Sequence, residues 1–180
     1  MQQRIQYKWA LGGNYIKSLV VFYSRRGENY AVGNIKEGNA EHIAKVIQKL
    51  TGADIYEIEP VKDYSKDYTT CTEEAMAELR TQSRPAFKNP ISSIDEYDII
   101  YLCYPNWWGT YPRVVATFLD KYNFEGKVIK PMCTHEGSGM GSSERELRST
   151  LRNATIKSGL AVKGTNAHSS DKQIERWINE

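Results

Sequence analysis

Residues 18–50 constrain the fold more than any other stretch. Leu19-Val20-Val21-Phe22-Tyr23 is an unbroken apolar run ending at Ser24, and from about Asn39 the apolar positions Ile43, Val46, Ile47 and Leu50 recur at helical spacing, with Glu41, Lys45 and Lys49 between them. A strand apolar at every position has no face to offer water, so it belongs in a parallel sheet covered on both sides. Strand, loop and helix in that order bring unpaired backbone N–H groups and the positive end of a helix dipole to one point, which suits a phosphate. Asn39 stands where a cap is needed.

The intervening loop, Arg25 to Gly38, is long: about 14 residues where a strand-to-helix turn commonly takes about 2 to 6. Gly27, Gly33 and Gly38 permit close backbone approach, and Arg25 and Arg26 are placed to face an anion. A solvated surface loop would carry the same residues, so this stretch alone leaves both readings open.

The rest of the chain repeats the unit. Asp54 to Glu59 reads as a short polar strand at an edge. Thr70 and Glu73 form a capping box for a helix through about Arg80, with Met76 and Leu79 as its thin apolar stripe. Pro85 and Pro90 keep the next stretch extended. Asp98 to Tyr104 is the second strongly apolar strand. It runs into Pro105-Asn106-Trp107-Trp108-Gly109 and then a helix started by Pro112, with Val115, Phe118, Leu119 and Tyr122 on its buried side. Lys127 to Cys133 is the next strand, in which Pro131 would remove a ladder donor and belongs more naturally at an edge. Ser143 and Glu146 form a second capping box, Gly159 to Lys163 is a last strand, and Ser170 and Gln173 cap a final helix bearing Ile174, Trp177 and Ile178. Five strand-helix units in strict alternation imply an α/β parallel sheet with helices on both faces.

Composition removes several functions. Twenty-four basic against 22 acidic residues, a net charge of +2, with no basic run longer than two, give no case for nucleic acid. Cys71, Cys103 and Cys133 make no C-x-x-C pair, which points to reduced thiols and a reducing compartment. With His42, His135 and His168 they make no zinc spacing, so no metal is expected. No stretch approaches the roughly 20 apolar residues of a membrane span, and residues 1–17 lack the apolar core of a signal peptide. The expectation is a cytoplasmic protein without membrane partners, with an extension over residues 1–16 and one domain over 17–180.

In an open parallel sheet the ligand lies beyond the carboxyl ends of the strands. The loops there, after the first, third and fourth strands, are the ones loaded with unusual residues, the last being Thr134-His135-Glu136-Gly137-Ser138-Gly139. No G-x-x-x-x-G-K-[ST] run exists, and Tyr104-Pro105 stands where a receiver domain needs a carboxylate. Trp107 and Trp108 are either core and dimer-surface residues or a platform for a flat ring. Beside a phosphate site the platform reading describes a mononucleotide, a flavin more than an adenine.

These residues match a family. Ser24-Arg25-Arg26-Gly27, Gly38-Asn39-Ala40-Glu41, Tyr104-Pro105-Asn106-Trp107-Trp108-Gly109 and Cys133-Thr134-His135-Glu136-Gly137-Ser138-Gly139 resemble the flavodoxins, in particular bacterial flavodoxin-like proteins with Pro-x-Trp-Trp-Gly and Thr-His-x-Gly-Ser-Gly loops. The resemblance implies a three-layer sandwich, a five-stranded sheet in the order 2-1-3-4-5, and FMN at its carboxyl edge. It implies that Ser24, Arg26, Gly38, Asn39 and Ala40 hold the phosphate, that Pro105 to Gly109 flank the isoalloxazine with a tryptophan stacked on it, and that Thr134 to Gly139 border the pyrimidine end and ribityl chain. Ala40 stands where the family commonly has Thr, and an insertion separates Ser24 from Asn39.

The resemblance carries two functions. One is a one-electron carrier serving a redox partner protein; the other is an NAD(P)H-dependent quinone or flavin reductase that moves two electrons. Carriers are typically acidic around the flavin, whereas Arg25, Arg26 and Arg113 stand near this site. A non-catalytic FMN-binding scaffold is the third reading. His135 is a candidate flavin contact or proton donor, and no other catalytic residue is expected. The chain is expected to be a monomer or a homodimer.

Overall fold

Side-chain alternation along the central strands divides the apolar residues between two cores. In the computed structural model, which describes residues 15–180, the order is β1 (Ser18–Phe22), β2 (Gly27–Asn29), β3 (Gly33–Ile35), α1 (Asn39–Thr51), β4 (Asp54–Glu57), α2 (Tyr68–Arg80), β5 (Ile99–Pro105), α3 (Arg113–Lys121), β6 (Val128–His135), α4 (Ser143–Thr150), β7 (Thr155–Ile156), β8 (Leu160–Lys163), a 3-10 helix (Gly164–Ser169) and α5 (Asp171–Ile178). Residues 1–14, most of the extension expected over 1–16, lie outside the described residues.

The main sheet runs β4-β1-β5-β6, with β7 and β8 sharing the position beyond β6, and all its pairings are parallel. Leu19 and Val21 of β1 face a core with Ile100, Leu102, Val115, Phe118 and Leu147, under α3 and α4. Val20 and Phe22 face the other, with Tyr101, Cys103, Ile43, Ile47, Ile174 and Trp177, under α1 and α5. This is the flavodoxin-like α/β sandwich in the expected strand order. Ile43 and Ile47 are completely buried, and each such side chain stabilises the fold by roughly 2 kcal/mol. Among the described residues no helix is long and apolar enough to cross a membrane.

Several local expectations are corrected, and at α1 the reason is that a group distant in sequence supplies what a local one was expected to supply. The α1 cap position is Gly38, and Asn39 is the first helical residue. The hydroxyl that receives the Glu41 amide, at 3.0 Å, belongs to Ser24 at the end of β1. A Cβ at position 38 would collide with that hydroxyl, so only glycine lets strand end and helix start meet. At α2 the cap is Asp67, which accepts from the Thr70 amide at 2.7 Å, and the buried residues are Cys71 and Ala75 in place of the Met76–Leu79 stripe. At α4 the cap position is Ser142.

Pro131 lies inside the sheet, opposite Leu102 of β5 and not at an edge. Alternation along β6 directs the Val128 amide toward β5 and the Ile129 carbonyl outward to the Lys157 amide, so position 131 also faces outward. There the outer partner changes from β7, paired at Val128 and Ile129, to β8, paired from Met132. The missing donor of proline falls at the break in the fifth strand position, where no ladder bond is lost.

The long loop folds as an antiparallel hairpin, β2 with β3. Arg25 and Arg26, expected to face an anion, face oxygens of the protein itself. Arg25 is buried and donates from Nε to the Glu28 carbonyl at 2.7 Å, and from its two terminal nitrogens to the Ser65 and Lys66 carbonyls at 2.9 Å each. Arg26 pairs with Glu41 and Glu57, both at 2.8 Å.

Two measurements test this junction. Ser24→Ala removes the acceptor for the Glu41 amide, and urea denaturation is expected to show a loss of about 1 kcal/mol. Burial works against the charge of Glu41, but Arg26, Lys45 and the Gly38 amide outweigh it and hold its carboxyl below the ordinary 4.5. Lys45 does the same for Glu37. Both pKa values are lower folded than unfolded, so this stabilisation is complete above about pH 4.5 and is lost as the pH falls through the folded values. Arg26→Gln is expected to be less stable than the parent at pH 7, with the difference closing toward pH 3.

Candidate functional site

Parallel strands leave their carboxyl ends at one edge, and the loops leaving β1, β5 and β6 enclose a cleft there of about 570 Å³. The cleft lies within the size of small-molecule sites. Of the residues expected at the site, it is lined by Asn39, by Pro105, Asn106, Trp107, Trp108 and Gly109, and by Thr134, His135, Glu136, Gly137 and Ser138. Ser24, Arg26, Gly38, Ala40 and Gly139 are not part of its lining; the first three are taken up in the α1 junction.

One end of the cleft is the start of α1. The amides of Asn39 and Ala40 open α1 and have no intrahelical acceptor, and the helix dipole adds to them. Gly164 brings the 3-10 helix against this point: a Cβ there would strike the Asn39 amide group and the Glu136 carboxylate. Glu136 accepts from the Thr165 amide at 2.9 Å, which ties its carboxylate to the 3-10 helix without removing its charge.

The other end is aromatic and locked. Trp107 bonds to Thr110 in both directions across Trp108 and Gly109, both with positive φ, 56° and 86°, the signature of a type I′ turn. A tryptophan in that conformation costs about 1 kcal/mol, so the surrounding bonds must hold it. The Trp108 indole N–H donates to the Thr72 carbonyl at 2.9 Å, tying the loop to α2. Trp107 stands edge-on to Tyr23 and Tyr64, with ring centres 5.3 and 4.9 Å away. The structure thus separates the two tryptophans, Trp107 wedged among tyrosines and Trp108 half exposed at the mouth.

The loops after β5 and β6 also fix each other. Asn106 accepts from the Gly109 amide and donates to the Gly139 carbonyl, both at 2.9 Å. The Gly109 carbonyl accepts from the Ser142 amide at 2.7 Å, and Gly141, at φ 54°, lies so close that a Cβ would overlap that carbonyl. Gly139 therefore acts from behind the wall. His135 Nδ1 accepts from the Gly137 amide at 2.9 Å, so the neutral ring carries its proton on Nε2.

One wall was not anticipated. Asn29 and Tyr30 of the hairpin, with Tyr68, Cys71, Thr72 and Ala75 of α2, complete the lining, as does Arg25. The Arg25 clasp on the Glu28, Ser65 and Lys66 carbonyls joins the hairpin to the segment before α2. Glu28 accepts from the Tyr68 amide at 2.8 Å and completes the joint. Burial pushes the Cys71 thiol up to about 11, so it stays protonated at neutral pH. The glycines and length of the loop were the available signal for the hairpin; nothing local marks α2 as a wall.

With this geometry, the comparisons with known proteins are specific. No curated protein matches the chain. Among solved structures it is similar to a candidate flavoprotein from Bacteroides uniformis ATCC 8492, with 27% identity and a TM-score of 0.73 over 92% of this chain and 99% of that one. It is also similar to one from Bacteroides eggerthii DSM 20697, with 26% identity and a TM-score of 0.74 over 91% and 96%. A flavoprotein from Lactobacillus acidophilus NCFM, solved in complex with FMN, shares the fold at 17% identity, with a TM-score of 0.66 over 91% and 99%. The family model described as Flavodoxin matches residues 29–180, from the hairpin to the last helix, and the chain belongs to the flavodoxin family.

Proposed function

We propose that the chain binds FMN non-covalently in this cleft and works as a flavin-dependent redox protein. The observation that carries the reading is the order of chemistry along the cleft: the start of α1, with Asn39 in the lining, at one end, and at the other a slot for a flat ring between Trp107–Gly109 and Thr134–Ser138. A mononucleotide with a broad ring has the same order. The FMN complex of the Lactobacillus relative adds support. When bound, FMN supplies the electron-accepting ring.

The chain's own residues bind, orient and shield. Main-chain amides and the dipole of α1 hold the phosphate; Arg26, expected in that role, is spent on Glu41 and Glu57. Asn106 and the Gly109–Gly141 contact keep the two ring-bearing loops at a fixed separation, so little ordering remains to be done on binding. The aromatic wall excludes water from one side of the ring, which is expected to lower its potential. His135 Nε2 is left to donate a hydrogen bond.

Two partners fit such a site, a redox partner protein and an NAD(P)H donor. One observation favours the second, a two-electron quinone or flavin reductase: the lining carries one arginine, Arg25, and one carboxylate, Glu136, so it has no acidic excess to steer a protein. Cytoplasmic location belongs to this reading, from the reduced thiols.

Titration of FMN with the protein is expected to quench flavin fluorescence saturably, and absence of quenching would sink the assignment. Asn106→Ala removes one hydrogen bond within the loop after β5 and one from it to the loop after β6, and its FMN dissociation constant is expected to rise about ten-fold. Anaerobic reduction of the loaded protein, followed by visible absorption, separates the functions. Passage from oxidised to fully reduced flavin with NADPH, without a one-electron form midway, is the expected result; accumulation of that form would mean a carrier.

A further inference from the structure

The cleft is wider than its strand-end loops alone would make it, because the hairpin and α2 add a second aromatic wall. Tyr30, at the hairpin turn, is 65% exposed yet lines the cleft, and Trp108 is 52% exposed on the loop after β5. Tyr30 lies near-parallel to Tyr68, with ring centres 6.3 Å apart and planes at 30°. The bond from the Trp108 indole to the Thr72 carbonyl uses its only donor, so the ring can offer a ligand its face but no hydrogen bond. Large aromatic rings left open to water around a cleft mark a contact surface.

The charge pattern narrows the ligand. Arg25 is the one lysine or arginine in the lining, and all three of its nitrogens are on carbonyls. Glu28 and Asp67, on either side of the tyrosine pair, are carboxylates used by the Tyr68 and Thr70 amides. An anionic ligand would meet no free cation among the lining residues. A neutral ring would meet aromatic faces, and His135 Nε2 offers an N–H to a carbonyl-bearing ring inside.

We propose that the mouth of the cleft, walled by Tyr30, Tyr68 and Trp108, is a second subsite that takes an uncharged planar ring of the quinone class. The proposal rests on the flavin reading, because the quinone docks beside a bound flavin ring.

The test is equilibrium binding of duroquinone to the oxidised, FMN-loaded protein, followed by saturation-transfer NMR and by perturbation of the flavin absorption. Saturable binding is expected. In protein kept saturated with FMN, Tyr30→Ser should weaken it about ten-fold, and Tyr30→Phe should restore it. A sulfonated anthraquinone should bind more weakly than duroquinone. Loss of FMN by the parent protein overturns both the flavin reading and the subsite. Three results overturn the subsite alone: no saturable binding to protein that retains FMN, an affinity indifferent to Tyr30→Ser, or tighter binding of the sulfonated ring.

Discussion

The carboxyl edge of this protein depends on how one strand end meets one helix start. Ser24 closes β1, and its hydroxyl receives the Glu41 amide inside the first turn of α1, across an approach that only Gly38 permits. Glu41 returns to the Gly38 amide while holding Arg26 and Lys45. That leaves the amides of Asn39 and Ala40 as the unused donors of the turn. A helix with a local Ser or Asp cap would place its side chain over the first turn; a cap supplied from the strand keeps that space open.

The same economy governs the other loops. Backbone groups that would be unsatisfied in a long loop are consumed by neighbouring loops, as Gly109 is by Asn106 and Ser142. These bonds hold Trp108 in a conformation that tryptophan avoids in isolation, and turn it toward α2. Conformational cost is concentrated where the cleft is shaped, and the surrounding hydrogen bonds sustain it. Arg25 extends the scheme to the hairpin, and the lining becomes one connected object built from distant segments.

Much of this was legible in the residues. The apolar run of β1, the period of α1 and the strand ahead of Pro105 define a covered parallel sheet, because burial on both faces and on one helical stripe leaves a pattern in sequence. Gly38, Trp107-Trp108-Gly109 and Gly137-Ser138 read as site loops because those residue types are poor choices for an ordinary connection. The roles of Ser24, Arg25 and Arg26 were not legible. A guanidinium in a loop suits an anion, a carboxylate or three carbonyls equally well, and only the position of Glu41, Glu57, Ser65 and Lys66 in space selects among them. Thr70 and Ser143 likewise fit the capping pattern, but both lie inside the first turn, and Asp67 and Ser142, just before it, hold the cap positions.

The sequence by itself determined the layers, which follow from hydrophobic period and from right-handed connections, while the strand order was implied by the resemblance to its family. Tertiary structure alone decided that Pro131 could lie inside the sheet, at the one point where the outer partner changes from β7 to β8. It alone made the hairpin and α2 into a wall, through Arg25 donors that reach about 40 residues along the chain. The physical reason is the same in both cases. Local pattern encodes which residues avoid water, whereas the pairing of a particular donor with a particular acceptor is fixed only when distant backbone is brought within hydrogen-bond reach.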